Sequence, residues 1–267
     1  MKRFTFTLLC VLIAAAVIFN GCKKVKDAEK LICGVTDFEP MNFRDSNGKW
    51  TGFDTELAIL VGQKLKMPVD FIEIEWANKY NELNSRTINC IWNGFTANSS
   101  ESDGTRRGAL VDFSYSYLRN QQCIVIKADR AGDFKAVGDL AGKTAAAETG
   151  SAGESAAQEI VGDTGKIVGT AAQTNTFIEV KSGAVDFAVV DILLAQRLAG
   201  SGDYADLKIA DISLSYEVYA VGFKKGSALR DKVNKALKEL YDEGKVNELA
   251  KKYKLEDSLV LDTSFNG

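Results

Sequence analysis

The chain of 267 residues contains no histidine. That removes the side chain most used as a general base near neutral pH, and the commonest metal ligand. Cysteine does not take its place. Beyond Cys10 and Cys22 there are only Cys33, Cys90 and Cys123, each in a strand-like apolar run, at spacings that match no zinc motif. They read as buried thiols, with a Cys33–Cys90 bridge left open by an oxidising compartment but not readable from spacing. Proline occurs twice and no low-complexity stretch divides the chain, so no linker separates independently tethered domains. Positive charge is not in excess: 33 Lys and Arg against 36 Asp and Glu give −3, which is no footprint for nucleic acid. No metal and no cofactor is expected.

What is present begins with an apolar run. Lys2 and Arg3 precede residues 4–19, FTFTLLCVLIAAAVIF, which fall short of the ~20 apolar residues of a spanning helix. The run reads as an export signal, residues 1–21. It ends at Gly21-Cys22, and a small residue before a cysteine at that point resembles a bacterial lipoprotein signal. Cys22 is then the lipidated first residue of the mature chain and residues 22–30 a tether; ordinary cleavage to a soluble protein is the alternative. Without residues 1–21, which hold two basic and no acidic residues, the net charge is −5.

The rest alternates strands and helices. LICGV (31–35) is a short strand, and 53–66 places Phe53, Leu57, Leu60, Val61 and Leu65 on one helical face with Asp54 suited to the N-cap. PVDFIEIEW (68–76) alternates as a strand, and NKYNEL (78–83) reads as a short helix. LNSRTINCIWNG (83–94) and VKSGAVDFAVVD (180–191), 97 residues apart, each run from a helix end through a continuous apolar strand to a small or acidic residue. Such strands belong to parallel sheets covered on both faces, so the pattern predicts two α/β lobes. Ligands of open α/β sheets bind beyond the carboxyl ends of strands, which points to Asp37, Gly94, Thr96 and Asp191. Two amphipathic helices follow, one capped by Ser227 and stopped by Gly244, the other over VNELAKKY.

Five stretches stand in an order that resembles the polar-amino-acid solute-binding proteins of bacterial ABC importers (family 3, type II periplasmic-binding fold). They are TDFEPMNFRDSNGKWTGFDTELA, INCIWNGFT, RRGALVDFSYSY, LAGKTAAAETGSAGES and SGAVDFAVVD, and the resemblance covers residues 31–253. It implies a ligand cleft between two α/β lobes, 31–116 plus 220–267 and 122–214, joined by hinge strands at 117–121 and 215–219. The implied function is to bind a polar L-amino acid by hinge closure and present it to a membrane permease. The implied partners are the amino acid, the permease and a lipid anchor at Cys22, with the chain monomeric, without enzymatic activity, and held outside the cytoplasm.

The same resemblance assigns site residues. Arg107, six before Phe113, is the anchor of the ligand's α-carboxylate, for which a planar guanidinium is suited; Arg106 is its surface neighbour. Gly94 and Thr96 assist, and Ser151 and Ala152, at a helix N-terminus, close over the same carboxylate. Asp191 takes the α-ammonium, though DILLAQRL also makes it a good N-cap. Asp37 is a second candidate for the amine or the ligand's side chain. Phe38 and Trp76 match the two aromatic positions that sandwich the ligand, while Trp92 belongs to the core. Glu148 matches a position that reaches the ligand's side chain, and a carboxylate there suits a cationic or amide group. The stretch 98–105, longer than usual in the family, reads as a mobile spacer. Two other functions stay open: a cyclohexadienyl-dehydratase-like enzyme using Glu148 or Glu154 as acid, and a surface adhesin lipoprotein.

Overall fold

A computed structural model describes residues 29–265. The signal, Cys22 and most of the tether therefore lie outside the described residues. Strand β1 (Leu31–Val35) is followed by a small hairpin, β2 (Phe43–Arg44) and β3 (Trp50–Thr51), and helix α1 (Phe53–Leu65). Then come β4 (Val69–Glu73), α2 (Lys79–Ser85), β5 (Cys90–Ile91), α3 (Arg107–Leu110) and β6 (Asp112–Phe113). The long strand β7 (Ser116–Lys127) leads to β8 (Thr144–Glu148), α4 (Ala152–Val161), β9 (Lys166–Thr170), α5 (Gln173–Ser182), β10 (Phe187–Asp191), α6 (Ile192–Leu198) and β11 (Leu207–Ile209). The chain returns through β12 (Tyr216–Tyr219) to β13 (Gly222–Phe223), α7 (Ala228–Asp242), α8 (Lys245–Tyr253) and β14 (Leu259–Asp262).

Two sheets result. The first has the order β4-β1-β5-β13-β6, with β1 parallel to β4 and β5 and β13 antiparallel to β5 and β6. The second runs β11-β7-β10-β8-β9, with β8 parallel to β9 and β10. Thus the fold is the two-lobed α/β arrangement that the repeated strand pattern predicts. β7 serves both the crossing and the second sheet: its first half pairs with β12, Leu118 opposite Tyr219 and Gln121 opposite Tyr216, and its second half with β10 and β11. β14 lies along the first half of β7 as well, so the crossing carries a third strand that sequence reasoning did not anticipate.

Apolar spacing does what it should on the helices. Phe53, Leu57, Ala58 and Val61 of α1 are buried, and α1 packs on α7 and α8 through Leu229, Val233, Leu237, Val246 and Tyr253. Ser227 caps α7 as expected, its hydroxyl accepting from the Leu229 N–H at 3.3 Å. Asp54 does not cap α1. Gly52 occupies that position at φ +115°, where a Cβ would lie 2.2 Å from the Met41 carbonyl oxygen, and Asp54 sits inside the first turn. There its buried carboxylate accepts the Gly94 N–H at 2.6 Å and the Tyr117 hydroxyl at 2.9 Å, ties that reach 40 and 63 residues along the chain. Tertiary partners outbid the local cap. Cys33 and Cys90 face each other on β1 and β5 as free thiols with their sulfurs 3.5 Å apart, and Cys123 is a free buried thiol.

Candidate functional site

The carboxyl ends of both sheets converge on a small, tightly closed pocket. Eight of the ten residues named from sequence line it: Gly94, Thr96, Trp76 and Arg107 from the first lobe, and Glu148, Ser151, Ala152 and Asp191 from the second. Asn93 and Gln173 complete the lining. Phe38 is buried behind it, its ring 2.5 Å from where a Cβ on Gly94 would stand, so Gly94 with φ +57° is the residue that lets this wall close up. Asp37 is exposed and outside the lining.

Arg107 begins α3 and is only 1% exposed. Its Nε donates to Glu101 Oε1 at 2.8 Å, Nη1 to the Thr96 carbonyl at 3.0 Å and Nη2 to the Gly150 carbonyl at 3.3 Å. The guanidinium lies over Phe95, 5.1 Å from the ring centre. Beside it Lys79, also buried, donates to the Gly150 carbonyl at 2.8 Å and faces the rings of Tyr80 and Trp76. Burial, then the nearby Arg107 charge, lowers the Lys79 pKa to about 8. Gly150 belongs to the second lobe, so two buried cations of the first lobe reach across to one carbonyl. Ser155 Oγ to the Ser100 carbonyl (3.1 Å) and Arg197 to Glu39 (2.6 Å) also cross between the lobes.

On the opposite wall Asp191 stands at the N-cap of α6, but its side chain makes no cap hydrogen bond. Its carboxylate instead accepts from Gln122 Nε2 (3.0 Å) and the Tyr219 hydroxyl (2.8 Å), and also from Asn120 Nδ2 and Gln173 Nε2. The amides of Asn120 and Gln122 are shared with Glu217 of β12, each at 2.9 Å, and Thr96 Oγ1 donates to Glu217 at 3.1 Å. Burial raises the pKa of both acids, that of Glu217 to about 7 with the Asp191 charge as second cause. Ser151 caps α4 through the Glu154 N–H at 3.0 Å, which sets the first turn of that ten-residue helix against the pocket.

Glu148, at the end of β8, differs from the other acids. It is 4% exposed, lines the pocket, and no hydrogen bond to its carboxylate is found among the described residues. Burial and then the Asp191 charge raise its pKa to about 8, against the opposing pull of Lys79 and Arg107. Sequence reasoning missed Lys79, Glu101, Gln173 and Glu217. Lys79 lies in a segment read only as a short helix, Glu101 in the spacer, Glu217 in a hinge strand and Gln173 in a stretch given no reading, and the one available signal was a charged residue interrupting an apolar pattern, as Glu217 does in YEVYAVGF.

The profile of the bacterial extracellular solute-binding proteins, family 3, matches residues 31–256. The arginine-binding extracellular protein ArtP of Bacillus subtilis is 29% identical over 261 residues, 95% of this chain and 98% of ArtP. An ancestral arginine-binding protein solved with arginine superposes with a TM-score of 0.75 at 31% identity, covering 84% of this chain and 97% of that one. The ancestral amino-acid-binding protein AncCDT-1, a precursor of cyclohexadienyl dehydratase, gives 0.74 at 28% identity over 84% and 95%. With the family's sequence pattern across most of its length and the same fold, this chain belongs to the bacterial extracellular solute-binding proteins, family 3.

Proposed function

We propose that the protein is the extracytoplasmic binding component of an amino-acid ABC importer, and that its ligand is an amino acid with a cationic side chain. One observation carries the reading: the pocket sets Arg107 against Asp191 and Glu148, one cation and two acids, in a single enclosed space. A zwitterion is matched by the first two, its carboxylate on Arg107 with the first turn of α4 closing over it and its ammonium on Asp191. Glu148, buried without a hydrogen-bond partner among the described residues, is then satisfied by a donor on the ligand's side chain, and a cation offsets its desolvation best. The arginine-binding relatives support the same class.

Binding then proceeds by closure. The segments 31–116 with 220–267, and 122–214, turn about 117–121 and 215–219, and the contacts of Gly150 with Lys79 and Arg107 form only when the lobes meet. The closed form is what a permease receives, and acylated Cys22 keeps the monomer at the membrane. A thermal-shift screen of the twenty amino acids followed by calorimetry tests the function, because a ligand of the folded state alone raises its melting temperature. Arginine or lysine giving the largest shift is the expected result; no shift with any amino acid refutes it. Turnover of prephenate or arogenate in the same preparation would favour the enzymatic alternative.

A further inference from the structure

The stretch 98–105 is folded rather than a loose spacer, and its fold has a target. The Glu101 N–H donates to the Thr105 carbonyl at 2.9 Å, the Gly104 N–H returns to the Glu101 carbonyl at 2.9 Å, and the Arg107 N–H reaches the Ser99 carbonyl at 3.2 Å. Gly104 takes φ +84°, which a side chain resists, and makes this reversal possible. The reversal brings Glu101 alongside Arg107, six residues on, and its Oε1 accepts the Arg107 Nε–H at 2.8 Å. Glu101 is held in turn by the Tyr80 hydroxyl at 2.5 Å and by Lys79 Nζ at 3.5 Å.

We infer that Glu101 is a positioning residue for ligand binding: it fixes the plane and direction of the Arg107 guanidinium through the Nε edge. The inference rests on Arg107 being the carboxylate anchor proposed above. A guanidinium has five N–H groups, and here one goes to Glu101, one on Nη1 to Thr96 and one on Nη2 to Gly150. Two remain for a ligand's carboxylate, and they make a bidentate fork only if the group cannot rotate. The Thr96 contact holds Nη1, and the Gly150 contact comes from the other lobe. Within the first lobe, Glu101 is the second point that stops the fork from turning. It also balances Lys79 and Arg107, two buried cations that otherwise face each other unscreened. The backbone on either side touches both lobes, since the neighbouring Ser100 carbonyl accepts from Ser155 Oγ of α4.

The test measures binding of L-arginine and L-argininamide, which lacks the carboxylate, by calorimetry on the parent chain and on Glu101→Ala, Glu101→Gln and Tyr80→Phe. In the alanine variant arginine is expected to lose at least about 30-fold in affinity while argininamide changes less than about threefold, so that discrimination between them collapses. Glutamine can still accept the Arg107 Nε–H and should restore arginine binding to within about fivefold. Tyr80→Phe, which removes one hydrogen bond to Glu101, should give a smaller loss of about threefold to tenfold with the same selectivity, and it serves as the test if the alanine variant does not fold. Equal losses for both ligands would mark Glu101 as merely structural, and unchanged or tighter arginine binding would also overturn the inference. Failure of the parent chain to bind arginine is read first and refutes the ligand assignment itself.

Discussion

Binding of a cationic amino acid should expel a proton from Glu148. In the closed arrangement its pKa stands at about 8, raised chiefly by burial, so at pH 7 about 90% of closed molecules without ligand carry it protonated. A guanidinium or ammonium brought against that carboxylate favours the charged form and returns the pKa to the ordinary carboxylate range, well below ~6. Close to one proton, about 0.9, then leaves for the buffer on binding. Calorimetry at pH 7 in buffers of different ionisation enthalpy reads this directly as the slope of observed enthalpy. Glu217, with a pKa of about 7, also answers to the α-ammonium that every amino acid carries and gives up part of a proton to the buffer, so the measured quantity is the difference between arginine and glutamine. That difference should be about 0.9 proton in the parent chain and near zero in Glu148→Gln. Arginine affinity should rise by about 50-fold from pH 6 to pH 8, as the ionised fraction of Glu148 grows from about 1% to about half. In Glu148→Gln it should fall about 10- to 100-fold at pH 8, with glutamine affected far less. Equal proton release for arginine and glutamine in the parent chain would refute the reasoning, because Glu148 would then not meet the ligand's side chain.

Arg107→Ala should cost two charge-assisted hydrogen bonds, about 3–6 kcal/mol, and weaken amino-acid binding by roughly 10² to 10⁴-fold in calorimetry; unchanged affinity would remove it as the anchor. Gly94→Ala places a Cβ 2.5 Å from the Phe38 ring and about 3 Å from Tyr219 at φ +57°, and should destabilise the fold by about 2–3 kcal/mol in urea titration. Without ligand, the closed arrangement should lose stability as pH rises from about 4.5 to about 8. Glu148 and Glu217 have folded pKa values of about 8 and about 7 against 4.5 unperturbed, so the native state holds more protons than the unfolded one throughout that window. A melting temperature that rises steadily from pH 5 to pH 8 would contradict it. Glu39→Gln breaks an interlobe ion pair whose side chains are 35% and 39% exposed, and should change affinity by less than about threefold.

The lobes were legible because their signal is additive. Leu57 and Val61 on α1, the continuous FAVVD of β10 and the apolar face of α7 each repeat one periodic message, and no single residue has to be read correctly. Polar residues carry no such redundancy. Asp54 and Asp191 were both good N-caps on local chemistry, yet neither side chain caps a helix, because Gly94 and Tyr117 in one case and four donors in the other come from distant segments. Asp37 follows β1 by two residues and Asp191 closes β10, and position near a strand's carboxyl end alone treated them alike. The structure leaves Asp37 exposed beyond Phe38 and buries Asp191 between the two crossing connections.

The same contrast separates Arg106 from Arg107. Adjacent in sequence and identical in chemistry, they differ because a short α3 starts at one of them, leaving Arg106 exposed and burying Arg107 over Phe95. The family's register picked the arginine that lies buried in the pocket, but what makes it buriable could not be seen there. A buried guanidinium needs its N–H groups satisfied, and the partners are the Thr96 and Gly150 carbonyls and the carboxylate of Glu101. Two are backbone, invisible to residue type, and the third lies in SSESDGT, whose composition reads as a surface loop. The loop's polar sequence is therefore consistent with two opposite fates. Only the turn at Gly104, which aims Glu101 inward while Ser102 and Asp103 stay exposed, decides between them.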